Sequence, residues 1–96
     1  MIKMPAELNE KVKRYEDMLK RALQKAKYAP LPQSHMYTIA DDYYTMAEAY
    51  YKDGVYFLEQ GDSVNALAAF SYGHAWLDAG AKLGVFSVDD ATLFTI

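Results

Sequence analysis

The fold expected from this sequence is all-α: an antiparallel three-helix bundle with a C-terminal tail packed back on it. Three observations lead there. Residues 43–83 hold two apolar-rich stretches of helical period, joined by Gln60-Gly61-Asp62. Residues 8–26 carry a narrower apolar stripe in steps of three and four. Between these regions lies Ala29-Pro30-Leu31-Pro32, where proline breaks the helical ladder and pushes its predecessor out of the α region.

The first helix is expected over about residues 5–29. Pro5 suits a first turn, and Glu7 and Glu10 suit the positive end of the dipole. Leu8, Val12, Tyr15, Leu19, Ala22 and Ala26 form its apolar stripe. The rest of its surface is charged, with acid four residues before base in Glu7–Lys11, Glu10–Arg14, Glu16–Lys20 and Asp17–Arg21, the better helical orientation.

Ser34 is placed to cap a second helix over about 35–60. Two adjoining seams, Ile39/Tyr43/Met46/Tyr50/Phe57 and Ala40/Tyr44/Ala47/Tyr51/Leu58, give it a wide apolar face. Such a face wants two neighbours, which makes this the expected central helix. Gly54 falls inside the stripe and is expected at a close helix–helix contact. The outer face is acidic, with Asp41, Asp42, Glu48, Asp53 and Glu59 against Lys52 alone. Tyr56 falls on that face, whereas the other tyrosines of this helix are expected in the core.

Gly61 suits a left-handed helix end and Asp62 an N-cap, so the next helix, about 63–83, must run antiparallel. It is apolar nearly all round, with Phe70 and Trp76 as its largest core candidates. Gly73, Gly80, Ala66 and Ala69 give it a small-residue edge, and Gly84 ends it. The tail, 85–96, has too many large apolar residues for a solvated segment. Ser87 with Asp90 resembles a capping box, so a short helical turn is expected near 88–93.

Ninety-six residues, 52% of them hydrophobic, make a single domain over 1–96. The chain has no cysteine, which excludes disulfide staples and thiolate zinc sites. No apolar run reaches the ~20 residues of a membrane span, and the N-terminus lacks the apolar stretch of a signal peptide. The protein is expected in the cytoplasm, with no membrane partner. Charge is uneven: residues 1–29 hold eight basic and four acidic residues, the remainder two and nine. Nucleic acid on the first helix is the alternative partner this suggests, but a self-paired, solvated face accounts for the same residues.

Ser71, His74 and Asp78 share one face of the third helix. A catalytic triad needs the imidazole between nucleophile and acid, in a pocket with an oxyanion hole. Three side chains along one helix supply neither, so the expectation is a polar strip with one His–Asp contact, not an enzyme. His74 and Asp78 alone are too few ligands for a metal, and no phosphate-binding or dinucleotide motif is present. No cofactor is expected.

At the hairpin the sequence resembles a known family. Tyr50-Tyr51, Tyr56-Phe57-Leu58, Gly61-Asp62, Asn65-Ala66-Leu67-Ala68-Ala69-Phe70 and His74-Ala75-Trp76-Leu77-Asp78-Ala79-Gly80 are similar to the core of small archaeal proteins grouped as domain of unknown function 357. The resemblance covers the second half of the chain. It implies a three-helix bundle and archaeal origin, and carries no catalytic residue. The hairpin is also somewhat similar to HEPN-type nucleic-acid-processing bundles. Their ribonucleases place an Arg ahead of a His at positions that are Leu67, Ala68 and Ala69 before His74.

The expected function is therefore a non-catalytic interaction module that binds a protein partner or itself. Gly54, Gly61, Asp62, Phe70, Trp76 and Gly84 are the expected structural residues. Ser71, His74, Asp78, Phe86 and Phe94 are the candidate interaction surface. The third helix shows more apolar circumference than two neighbours cover, so the tail is expected to cover part in cis and a symmetric homodimer another part.

Overall fold

A computed structural model describes the backbone of residues 3–94 and the side chains of residues 7–94; the last two residues of the tail expected over 85–96 lie outside them. Three helices run up, down and up: α1 (Lys3–Lys25), α2 (His35–Glu59) and α3 (Ser63–Leu83). Two short strands, β1 (Lys27–Tyr28) and β2 (Phe86–Ser87), pair antiparallel, with Lys27 opposite Ser87 and Tyr28 opposite Phe86. Among the described residues no helix is long and apolar enough to cross a membrane.

The ends of the helices follow local chemistry. Ser34 Oγ accepts the Tyr37 amide (3.2 Å), and Asp62 Oδ1 accepts the Asn65 amide (3.1 Å), so each satisfies a helix-start donor. Gly61 (φ 76°) and Gly84 (φ 92°) are left-handed. Behind Gly61, the Asp62 amide bonds Phe57 O and the Gly61 amide bonds Leu58 O; behind Gly84, Val85 bonds Gly80 O and Gly84 bonds Ala81 O. Both are the paired 6→1 and 5→2 closure that a glycine at this position permits.

α1 stops four residues before the expected end at 29. Its last helical bond is Ala26 N to Ala22 O, after which the chain extends and Ala29 N bonds Val85 O. Residues 26–29 would suit a helix locally, but the tail offers them a strand partner. The expected helical turn near 88–93 is a turn at 91–93. Asp90, not Ser87, caps it: Asp90 Oδ1 accepts the Thr92 amide (2.9 Å).

The central helix is α3, not α2. α3 packs extensively on both α1 and α2, which meet each other over a shorter stretch. The reason is its small-residue edge: Ala66, Ala69, Gly73 and Gly80 are all buried. A Cβ on Gly73 would stand 2.7 Å from Leu19 of α1 and 3.1 Å from Tyr50 of α2. The core runs through Val12, Leu19 and Ala22, through Ala40 and Ala47, and through Phe70 and Leu77, and is closed by Val85, Phe86, Leu93 and Phe94 of the tail.

Candidate interaction surface

Two regions bring the candidate residues to the surface or near it, and they differ in kind. The first is the polar strip of α3. Residues 91–94 fold over it, and with Tyr15 and Met18 of α1 they close a cleft of about 290 Å³ against Ser71, His74 and Asp78. The roof half-buries His74 and Asp78 and leaves Ser71 at its edge. The Phe94 ring lies over the imidazole at 6.3 Å and 28°. His74 Nδ1 faces Asp78 Oδ2 at 3.7 Å, the expected contact, while Nε2 is buried without a partner among the described residues. Ser71 is exposed, and among the described residues no hydrogen bond joins it to His74. The imidazole does not bridge nucleophile and acid, so the geometry gives no argument for triad chemistry. Among the described residues no three His, Asp or Glu side chains gather as metal ligands.

Phe86 and Phe94, expected on an interaction surface, are each 3% exposed. They are core. Phe86 lies against Gly80, where a Cβ would come within 2.3 Å of its ring, and only a residue without a side chain allows that approach. The tail is bound elsewhere by polar contacts. Lys25 Nζ donates to Asp90 Oδ2 at 3.0 Å. Hydrogen bonds from Thr92, then the Lys25 ammonium, hold the Asp90 carboxyl well below the usual carboxylate range.

Tyr28 escaped the sequence reading, which placed it in the last turn of α1. It sits between rings of Tyr37 (5.0 Å), Tyr44 (5.8 Å) and Phe86 (5.9 Å), and its hydroxyl donates to Asp41 Oδ1 at 2.8 Å. Burial, then the hydrogen bond to the Asp41 carboxylate, pushes the phenol well above its ordinary range. It stays neutral and fastens β1 and β2 to α2. The available signal was an aromatic, strand-favouring side chain just before Ala29-Pro30.

The second region is open. Val64, Ala68, Tyr72, Ala75, Ala79 and Leu83 turn one side of α3 outward, and all are exposed. Val64 is 67%, Tyr72 62% and Leu83 55% accessible. Tyr43 and Trp76, packed edge to face at 5.0 Å, wall a shallow groove of about 300 Å³ with Tyr72, Ala75 and Ala79. Tyr72 in turn stacks on Tyr50 at 5.7 Å. No charged side chain stands on this face between Val64 and Ala79. The tail covers the Gly80 edge of α3 and leaves this side uncovered.

The family model described as "Protein of unknown function (DUF357)" matches residues 14–86. The chain belongs to the DUF357 family. The match reaches further than the resemblance read from the hairpin, since it takes in α1 from Arg14 and ends in β2 at Phe86. The DUF357 segment thus contains both strands' paired residues Tyr28 and Phe86 and the whole outer face of α3, but not the turn that roofs His74. No curated protein and no solved structure matches the chain.

The glycines expected to be structural have defined roles. A Cβ on Gly54 would stand 2.3 Å from Phe70 Cε1, so the expected close contact exists and Phe70 makes it. Gly61 and Asp62 form the α2–α3 turn, and Gly84 releases the tail toward β2. Trp76 is half-buried, with one edge in the open groove. Of the four helical ion pairs expected on α1, only Asp17–Arg21 closes among the described residues, at 3.6 Å.

Proposed function

We propose that this DUF357 protein is a non-catalytic helical module whose outer α3 face docks a protein partner. One observation carries the reading. The molecule buries four apolar side chains of its tail against the Gly80 edge and the polar strip of α3 yet leaves Val64, Tyr72 and Leu83 more than half exposed on the outer side. Scattered apolar side chains on a surface are ordinary, but these follow one another along a single helix face, free of charge between Val64 and Ala79, beside an aromatic groove, the form that marks interaction sites. Exposed aromatics beside small residues also supply the anchors that docking surfaces favour.

The test is photo-crosslinking in native extract, with the reactive group at position 72 and, for comparison, at position 13 of α1. The reading expects protein adducts from position 72. Adducts from neither position, or protein adducts from position 13 alone, contradict it.

A second reading retains one observation. Lys11, Lys13, Arg14 and Lys20 are exposed and lie in no ion pair among the described residues, so the self-pairing expected of the α1 surface does not account for them. A nucleic-acid contact there would make binding to generic RNA fall steeply with salt and would give nucleotide adducts from position 13.

A further inference from the structure

We infer that the roofed cleft between the polar strip of α3 and residues 91–94 binds a small organic cation that carries N–H donors, in its simplest form an alkylammonium ion. The cleft lies on a different side of α3 from the docking face. The inference therefore goes beyond the docking reading and does not depend on it.

The walls come from three parts of the chain. α1 supplies Tyr15 and Met18, α3 supplies the strip, and the tail supplies Thr92, Leu93 and Phe94. The volume of about 290 Å³ is at the small end of ligand pockets, which run from roughly 300 Å³ upward. It suits a small molecule, not a segment of a macromolecule.

Charge selects the sign of the ligand. Asp78 is the one acidic residue on the lining, and among the described residues no lysine or arginine lines the cleft to balance it. Its side chain is 27% accessible. A carboxylate held partly out of water attracts a cation more strongly than one on the open surface. Tyr15 and Phe94 add aromatic rings to the same lining, and the face of an aromatic ring attracts cations.

Hydrogen bonding selects the donors. A carboxylate only accepts. His74 Nδ1 faces Asp78, which favours the tautomer with its proton on that nitrogen and leaves Nε2 an acceptor. Nε2 is buried without a partner among the described residues. The Thr92 hydroxyl gives its proton to Asp90 Oδ1, so it too offers the cleft an acceptor. Ser71, at the exposed edge, serves either way. The cleft is thus stocked with acceptors and short of donors. A quaternary ion would meet the charge but not the acceptors. An alcohol would meet an acceptor but not the charge. An alkylammonium ion meets both, with its chain against Met18 and Leu93.

Titration of the intact, isotope-labelled chain with n-butylamine hydrochloride, at neutral pH and constant ionic strength and followed by amide NMR, tests this. Residues 71–78 and 91–94 are expected to shift together and to saturate, with dissociation at about 1 mM for so few atoms. Tetramethylammonium and n-butanol should each bind about tenfold more weakly. Asp78→Asn should weaken n-butylammonium binding about tenfold or more. Ser71→Leu, which crowds the exposed edge, should weaken it as well, and Asp53→Asn on the outer face of α2 should change nothing. Each variant's melting temperature establishes that it is folded, and the Ser71→Leu comparison stands even if Asp78→Asn does not fold. No saturable shift up to about 50 mM overturns the inference. So does equal binding of tetramethylammonium or n-butanol, or an affinity indifferent to position 78. Nα-acetyl-lysine amide should bind no more tightly than n-butylammonium; a clear gain with it would assign the cleft to a partner's lysine and overturn the free-ion reading.

Discussion

Gly54 and Phe70 show how a single residue position sets the spacing of two helices. Glycine inside a helix costs about 1 kcal/mol against alanine, and the close seat of the Phe70 ring offsets it. Gly54→Ala must push that ring aside, and Gly54→Leu must do more. Losses of about 1–3 kcal/mol are expected, read as a lowered melting temperature. Phe70→Leu in the Gly54→Ala background should lose less than the two single losses added together, because the smaller side chain vacates the contested space. The sequence showed Gly54 in mid-stripe and so announced a close contact. It could not say which side chain fills the space, because Phe70 reaches Gly54 only once the hairpin has closed.

His74 presents the opposite case at the same scale. Its buried Nε2 has no partner among the described residues, and an unsatisfied buried polar atom costs about 1–3 kcal/mol. His74→Leu should therefore leave the melting temperature unchanged or raise it. A clear fall would mean that the imidazole makes a stabilising contact beyond those described. The strip of Ser71, His74 and Asp78 was legible as one helical face, but its roof was not, since helical period carries no information on where a tail 20 residues downstream comes to rest.

Among the elements, the tail has the least regular structure and the most polar fastening. Asp90 is joined to Thr92 and to Lys25 of α1, and its carboxyl titrates below the usual range. A depressed folded value means that the stabilisation is full above the unfolded carboxylate value near 3.9 and is lost as pH falls through the folded one. The Leu93 and Phe94 amides bond Asp90 O and report on this turn. Their hydrogen-exchange protection should hold from neutral pH down to about pH 4.5, once intrinsic exchange is corrected for, and fall only below it. Asp90→Asn should lower the protection at neutral pH and flatten its acid dependence. Protection already lost near pH 6 would contradict the assignment. The three long helices were legible because their periodicity and caps are local. The β1–β2 pairing was not, because two-residue strands nearly 60 positions apart leave no pattern in either segment.

For the whole molecule, the tail and the outer α3 face are two answers to one excess of apolar surface. Val85, Phe86, Leu93 and Phe94 are almost fully buried. At about 1.5–3 kcal/mol each, their removal withdraws about 6–12 kcal/mol, comparable with the total ~5–15 kcal/mol of a small domain. A chain ending at Gly84 should therefore fail to fold cooperatively or should aggregate, which thermal melting and light scattering will show. The all-α class was readable from helical periodicity and its breaks, and the inward fold of the tail from its apolar composition. The identity of the central helix was not, because α2 also presents an apolar face wide enough for two neighbours, and only the packed structure shows that the small residues of α3 admit them on two sides.

The central claim, that the outer face of α3 is occupied in the working protein, has an internal control. Tyr72 on α3 and Tyr56 on the acidic face of α2 are 62% and 57% exposed. Hydroxyl-radical footprinting of the protein at high dilution and in its native extract compares them directly. Both tyrosines should oxidise readily when dilute; in extract Tyr72, with Val64 and Leu83, should become protected while Tyr56 stays reactive. Tyr72 and Tyr56 remaining equally reactive in both states would contradict the account.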